Sequence, residues 1–297
     1  MARPTKAPVT PETSTVIRRA APADAKACGK ICFEAFGSLA ARHGFPADFP
    51  APEVPISVLS WMFSHPAFFC VVAEQNGKIV GSNCLDERTP IAGVGPITVD
   101  PAVQNLTTGR HLMESVITRA TERNFPGIRL VQTAYHNRSL ALYAKLGFVV
   151  REPLVCLQGS PLQKILPGYR VRLAKSQDIA TCNDLCLRVH GHHRGGELSD
   201  GIQQGTAVVA ELDGYIRAYA SGIGFFGHAV GEDIRDLLAL ISAAKEFAGP
   251  GILVPSRNSE LFRWCLENGL RVVQIMTLMT MGLYNEPAGA YLPSILF

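Results

Sequence analysis

The stretch Val103–Met113, VQNLTTGRHLM, decides how this chain is read. It follows a strand-like run, PITVDP (Pro96–Pro101), and opens a helix-like one. In that helix Leu112, Met113, Val116, Ile117 and Ala120 recur at helical spacing, with Glu114, Arg119 and Arg123 off the stripe. A strand-to-helix junction leaves the first-turn N–H groups without partners, and the helix dipole adds positive potential there. The spot therefore suits an anion such as a phosphate. Gly109 permits close approach of a ligand to the backbone, and Arg110 adds a charge. Farther on, Leu130–Ala134 reads as a strand, Asn137 or Ser139 starts a short helix, and Gly147 ends it before Phe148.

Working outward, the 297 residues are enough for two domains, and 47% hydrophobic against 18% charged residues predicts packed cores. A net charge of +3 with scattered Lys and Arg offers no basic face, so nucleic acid is not an expected partner. The start MARPTKAPVTPETST lacks an apolar core and reads as a flexible tail, residues 1–15, not a signal peptide. Apolar runs such as DLLALISAA fall short of the ~18–20 residues of a membrane span, so no membrane contact is expected. Eight Cys without CxxC pairs suggest reduced thiols and a cytoplasmic home.

The chain repeats itself. RRAAPADAKACGKIC (Arg18–Cys32) matches RLAKSQDIATCNDLC (Arg172–Cys186), and VVAEQNGKIVG (Val71–Gly81) matches VVAELDGYIRA (Val208–Ala218). The second copy is shorter between these blocks, opposite Phe45–Pro66, so that segment is expected to belong to the first copy alone. Each copy predicts a short strand (Val16–Arg19; Arg170–Leu173), a helix, a hairpin turning at Asn-Gly or Asp-Gly, then strand, helix, strand and helix. The domains expected are 16–158 and 169–297, joined by a linker at 159–168. Cys28/Cys32 and Cys182/Cys186, four apart, are better explained as core than as metal ligands, since further ligands with matching spacing are lacking. No metal is expected.

In order and spacing, ITVDP, QNLTTG, the amphipathic helix and N…LY.KLGF resemble the acetyl-CoA-binding core of the GNAT N-acetyltransferases, and the repeat resembles their tandem two-domain members. The resemblance implies an α+β fold: two tandem GNAT-like domains, each a mixed central sheet flanked by helices, the second degenerate. It implies acetyl-CoA as cosubstrate. Ile97, Thr98 and Val99 would line the pantetheine arm, Gln104, Asn105, Leu106, Thr107, Thr108, Gly109 and Arg110 would hold the pyrophosphate, and Asn137 and Tyr143 would lie beside the thioester. Thr107 stands where the family pattern Q/R-x-x-G-x-G/A has its first Gly, and its Cβ disfavours a positive φ. In the second copy Glu232, Asp233 and Asp236 stand at the corresponding junction and would repel a pyrophosphate.

Acyl transfer to an amine of pKa ~10.4 requires loss of a proton at a cost of about 4–5 kcal/mol at neutral pH. Many members of the family use a Glu on the strand before the loop. That strand here, GVGPITVDP, has none, which leaves Asp86 and Glu87 as nearest carboxylates, on opposite faces of their strand. Glu87 is the preferred base; a solvated turn paired with Arg88 is the alternative. Tyr143 is the candidate acid for the departing thiolate. Phe36, His43, Trp61 and Met62, with Phe63, are candidates for the acceptor pocket, against the alternative that they only cover the sheet. VHGHHRGGEL (Val189–Leu198) reads first as a surface loop, then as an acceptor-site loop, and least as a zinc site. The apolar end NEPAGAYLPSILF should be packed, with the Phe297 carboxylate a remote candidate base.

The leading expectation is a cytoplasmic acetyl-CoA-dependent N-acetyltransferase. It would act on the primary amine of a small molecule by direct transfer in a ternary complex, with a homodimer left open. The alternatives are a mycothiol-synthase-like or protein N-acyltransferase, a non-catalytic acyl-CoA-binding sensor, and a structural interaction protein.

Overall fold

The computed structural model describes residues 15–103 and 107–296. In the first half the order is β1 (Val16–Arg19), α1 (Ala25–His43), α2 (Glu53–Ser64), β2 (Phe68–Gln75), β3 (Lys78–Asp86), β4 (Ala92–Val94), β5 (Thr98–Val99), α3 (Thr108–Glu122), β6 (Gly127–Thr133), α4 (Asn137–Lys145) and β7 (Val149–Gln158). The second half repeats it: β8 (Tyr169–Leu173), α5 (Ile179–His190), α6 (Gly195–Gln204), β9 (Val208–Leu212), β10 (Tyr215–Ala220), β11 (Ala229–Gly231), α7 (Ile234–Ala243), β12 (Ile252–Pro255), α8 (Ser259–Glu267) and β13 (Arg271–Gly282), followed by β14 (Ala290–Leu292).

The internal repeat survives at the level of single bonds. Arg18 binds Asp24 at 2.7 Å and Glu74 at 2.6 Å, while Arg172 binds Asp178 at 2.7 Å and Glu211 at 2.6 Å. Each Asp also accepts from the backbone three residues before it, at Ala21 and Lys175, and so fixes the entry to the first helix. The hairpins turn at Asn76-Gly77 and Asp213-Gly214, all four with positive φ, as that turn chemistry requires. Cys28, Cys32, Cys182 and Cys186 are buried in the cores.

One expectation is corrected here. The segment after α1 is not peculiar to the first copy, because α6 stands where α2 stands. The difference in length lies mainly in α1, with 19 residues against 12 in α5, and in the connector to the next helix, residues 44–52 against 191–194.

The two sheets are not one per half. The larger has the order β1-β2-β3-β4-β6-β13-β7-β12, with β5 also on β3; the smaller runs β14-β11-β10-β9-β8. Strand β13 of the second half pairs antiparallel with β6, Met276–Gly282 opposite Thr133–Gly127, and β7 of the first half pairs antiparallel with β12 of the second. Each half thus lends its last long strand to the other, and β7 and β13 meet in the middle. The cores follow. Met279 of β13 packs with Leu112, Val116, Leu130 and Tyr143 of the first half, and Val155 and Leu157 of β7 pack with Leu237, Leu240 and Leu261 of the second. The domain limits drawn at 158 and 169 fall between β7 and β8 but do not separate two independent sheets.

Candidate functional site

The sheet opens in the first half. β4 pairs parallel with β6 only at Ala92–Gly93 opposite Ile128–Arg129. The chain then turns through Gly95-Pro96, and β5 pairs with β3 instead, Thr98 opposite Ser82 and Val99 opposite Gly81. Among the described residues no strand covers Leu130–Thr133 of β6 on that side, so a gap opens between β5 and β6. Both walls carry buried polar atoms with no partner in the protein: Thr98 Oγ1 on β5, and Nε2 and Oε1 of Gln132 on β6. Buried orphans of this kind cost about 1–3 kcal/mol each unless a ligand or water satisfies them.

Helix α3 starts at this gap. Its N-cap, Thr107, has φ −69 and makes no side-chain capping bond, and no acid lies in the first turn. The first N–H groups are thus left for an anion. Thr108 is fully buried, and its Oγ1 receives Nε2 of Gln75 at 3.3 Å, which ties the helix mouth to β2. A Cβ at Gly109 would make ordinary contacts with Leu142 and Val99. The expected strain at Thr107 is absent because its φ is right-handed helical, not positive. Arg110 pairs loosely with Glu114 on the exposed helix face, 3.4 Å away. The candidates Gln104, Asn105 and Leu106 lie outside the described residues.

Asn137 is exposed at the start of α4, after His136. Tyr143 is turned inward, 5% exposed, with its ring edge-on to Phe148. Burial pushes its phenol up to about 12, against a hydrogen bond with Ser139 that lowers it. At that value protonating a thiolate of pKa ~8.5 outright would cost about 5 kcal/mol.

The two expected bases are held by arginines on opposite faces of the sheet. Asp86 takes Nε and Nη2 of Arg88 at 2.9 and 2.6 Å, and Glu87 takes Nε and Nη2 of Arg119 on α3 at 2.7 and 3.0 Å. Each oxygen of Glu87 thus accepts once from Arg119, a bidentate pairing that holds the side chain against α3. The loose pairing of both with Arg88 is corrected. Sequence reading passed over Asp48, in the α1–α2 connector. It accepts Nε2 of Gln274 from β13 at 3.1 Å, interacts with Tyr135 just past the end of β6, and is held above its usual range by burial. An isolated Asp in a Pro-rich stretch carries no motif that would flag it.

Of the acceptor candidates, Trp61 and Met62 of α2 line a pocket of about 880 Å³ between α2 and the second half. Phe36 packs edge-on to Phe49 and His43 lies against Tyr135, so those two are not brought to this pocket. Leu296 lines the pocket and lies against Gly93 of β4 and Gly95 just after it, and only glycine leaves room at 93 for its carbonyl. Phe297 lies outside the described residues.

The HGHHRGGE segment is not a surface loop. His190, His192, Arg194 and Glu197 are all under 9% exposed, while His193 is exposed. Arg194 binds Glu197 at 2.5 Å and His228 lies 3.2 Å from the same oxygen. Burial lowers the acid range of His190, His192 and His228, His192 to about 3, so these rings are neutral at pH 7. Among the described residues no group of three or more His, Cys, Asp or Glu is placed to hold a metal ion.

Among the described residues the second half shows no counterpart of the β5–β6 gap. Asp233 caps α7, accepting from the backbone N of Asp236 at 2.9 Å, and Asp236 reaches back to the N of Asp233. Strand β14 pairs with β11 on the side facing β12. The helix mouth is thus capped by its own acids, and the space of about 540 Å³ left there is lined by Asp233, Arg235, Asn258 and Glu260.

Residues 38–148 match the sequence profile of the Acetyltransferase (GNAT) family. No curated protein matches the sequence. Among solved structures the chain is similar to a putative acetyltransferase from Pyrococcus horikoshii, with 18% identity, 95% of this chain and 94% of that one covered and a TM-score of 0.71. A GCN5-related N-acetyltransferase from Sphaerobacter thermophilus gives 14%, 94%, 98% and 0.62. A tandem GNAT protein from the clavulanic acid biosynthesis pathway gives 15%, 91%, 98% and 0.56. The TM-scores and coverages show a shared fold over nearly the whole chain. Among the described residues no helix is long and apolar enough to cross a membrane.

Proposed function

We propose that the chain, whose residues 38–148 match the Acetyltransferase (GNAT) family, transfers an acetyl group from acetyl-CoA to the primary amine of a small molecule. The transfer is direct, within a ternary complex. The observation that carries this reading is the gap between β5 and β6, with unpartnered Thr98 and Gln132 on its walls and the uncapped N-terminus of α3 at its mouth. An extended thioester fits such a gap, its amides meeting the orphaned groups and its pyrophosphate the helix N–H groups. Bound acetyl-CoA supplies the activated acyl group. The chain's own residues orient it, and Tyr143 on α4 donates a hydrogen bond toward the sulfur. Catalysis then rests mainly on holding amine and thioester together. Asp48, whose carboxyl holds its proton more tightly than usual, is the base assigned in this proposal.

Titration calorimetry with acetyl-CoA, followed by a thiol-release assay over a panel of amines, tests this reading. Binding in the micromolar range and amine-dependent release are expected, with Asp48→Asn lowering kcat/KM at least tenfold at unchanged acetyl-CoA affinity. Binding without turnover of any amine would leave a sensor; no binding would end the transferase reading.

A further inference from the structure

Strand β13 carries a fault in its pairing with β7. Val272 stands opposite Leu157 and Gln274 opposite Cys156, so Val273 is an extra residue and the strand is bulged there. In a regular strand residues 272 and 274 would share a face. Leu157 packs into the core of the second half, whereas Cys156 packs on the other face of the sheet with Leu154, Met276 and Leu278. The bulge therefore carries Gln274 over to the Cys156 face. Asp48 lies on that face. Its Oδ1 accepts Nε2 of Gln274 at 3.1 Å, while its Oδ2 accepts no hydrogen bond among the described residues and is not sealed from solvent. Gln274 is 3% exposed, and its own Oε1 is buried without a partner. For stability alone an apolar side chain would suit that position better, so what the amide contributes is the N–H it gives the carboxylate.

We infer that Gln274 is a positioning residue for Asp48: through its bulged strand, the second half fixes the carboxylate that takes the proton of the acceptor amine. The inference deepens the transferase reading and rests on it for the role of Asp48. With Oδ1 held, Oδ2 is left to accept from the acceptor's ammonium. The donated hydrogen bond favours the ionised form, against burial, which works the other way. Among the described residues, the other titratable groups around this carboxylate are Cys32 of α1, Tyr135 past the end of β6 and Cys156 of β7. Burial pushes all three up, Tyr135 and Cys156 to about 12, so none of them titrates in the acid range. His43 lies against Tyr135, and a His43→Gln background separates its titration from that of Asp48.

Carboxyl-carbon NMR of aspartate-labelled protein, with Asp48→Asn to assign the signal, follows the carboxylate without any substrate, and kcat/KM against pH follows it in turnover. In Gln274→Met both the Asp48 titration and the acid limb of the profile are expected to move to higher pH by about one pH unit, because a charge-assisted hydrogen bond is lost. The kcat should fall at least fivefold, acetyl-CoA affinity should stay at the wild-type value, and Tm should hold or rise. A residue that merely packs would lower Tm and leave the titration in place. Should the methionine variant fail to fold, Gln274→Asn, whose amide stops one carbon short of the carboxylate, makes the same test. An Asp48 titration that does not move overturns the inference. Movement with kcat/KM unchanged overturns the catalytic role of the contact, and full activity of Asp48→Asn as well would place the failure in the base assignment. Wild-type protein that turns over no amine would end the transferase reading, and the positioning role with it, while the contact itself stands.

Discussion

Gly109 and Thr107 show how far one residue's reading depends on backbone angle. In the sequence, Gly109 reads as a close-approach glycine and Thr107 as an anomaly needing positive φ. In the structure Thr107 is helical at φ −69 and Gly109 lies inside the first turn with room for a Cβ. What the site needs at 109 is therefore the absence of negative charge more than the absence of a side chain. Gly109→Asp is expected to lower acetyl-CoA affinity at least tenfold by calorimetry. The same change should hold or raise Tm, since an acid in the first turn stabilises a helix by about 0.3–1 kcal/mol and Asp is a better helix residue than Gly. A parallel fall in affinity and Tm would point to misfolding and not to charge. The second half already carries this arrangement in Asp233 and Asp236.

At the scale of elements, the helices, hairpins and the strand-loop-helix of the gap were legible because each has a local signature: periodicity for α3, Asn-Gly and Asp-Gly for the turns, Gly147 for the end of α4. Partners brought from far along the chain were not legible. Glu87 meets Arg119, Asp48 meets Gln274 and Glu197 meets His228 only after the sheet has formed, and no spacing in the sequence encodes those meetings. The connector of α1 and α2 makes the point testable through Asp48. Its folded-state acid range is raised by burial, so the native state resists ionising it. Above that range the folded protein carries a penalty the unfolded chain lacks, and the penalty disappears as pH falls below the unfolded value of ~3.9. Asp48→Asn should thus be more stable than wild type at pH 7, with the difference in Tm shrinking to nothing near pH 3.5. A difference constant from pH 7 to 3.5 would mean that packing, not ionisation, is responsible.

For the whole molecule the exchange of β7 and β13 governs behaviour. Residues 1–158 alone would present β6 and β7 with no strand between them, two long unpaired edges with the underside of Met279's site exposed. That fragment is expected to aggregate or to oligomerise, and the intact chain to unfold in a single calorimetric transition despite its two repeats. A monomeric, folded fragment with native-like near-ultraviolet dichroism, or two resolved transitions in the full chain, would contradict this. Sequence comparison of the copies drew a boundary that falls between β7 and β8 but gave no sign of the exchange, because β7 and β13 would read as strands in either sheet.

The exchange also settles what the second half is free to lose. The two halves hold each other like crossed arms, each carrying the other's last long strand. The second half places β14 beside β11 and caps α7 with Asp233 without altering the first half's gap. It has no such latitude along β12 and β13, on which the neighbour's sheet depends for its far edge. Changes along β12 and β13 should therefore disturb both halves, whereas changes in β14 or at the start of α7 should disturb one.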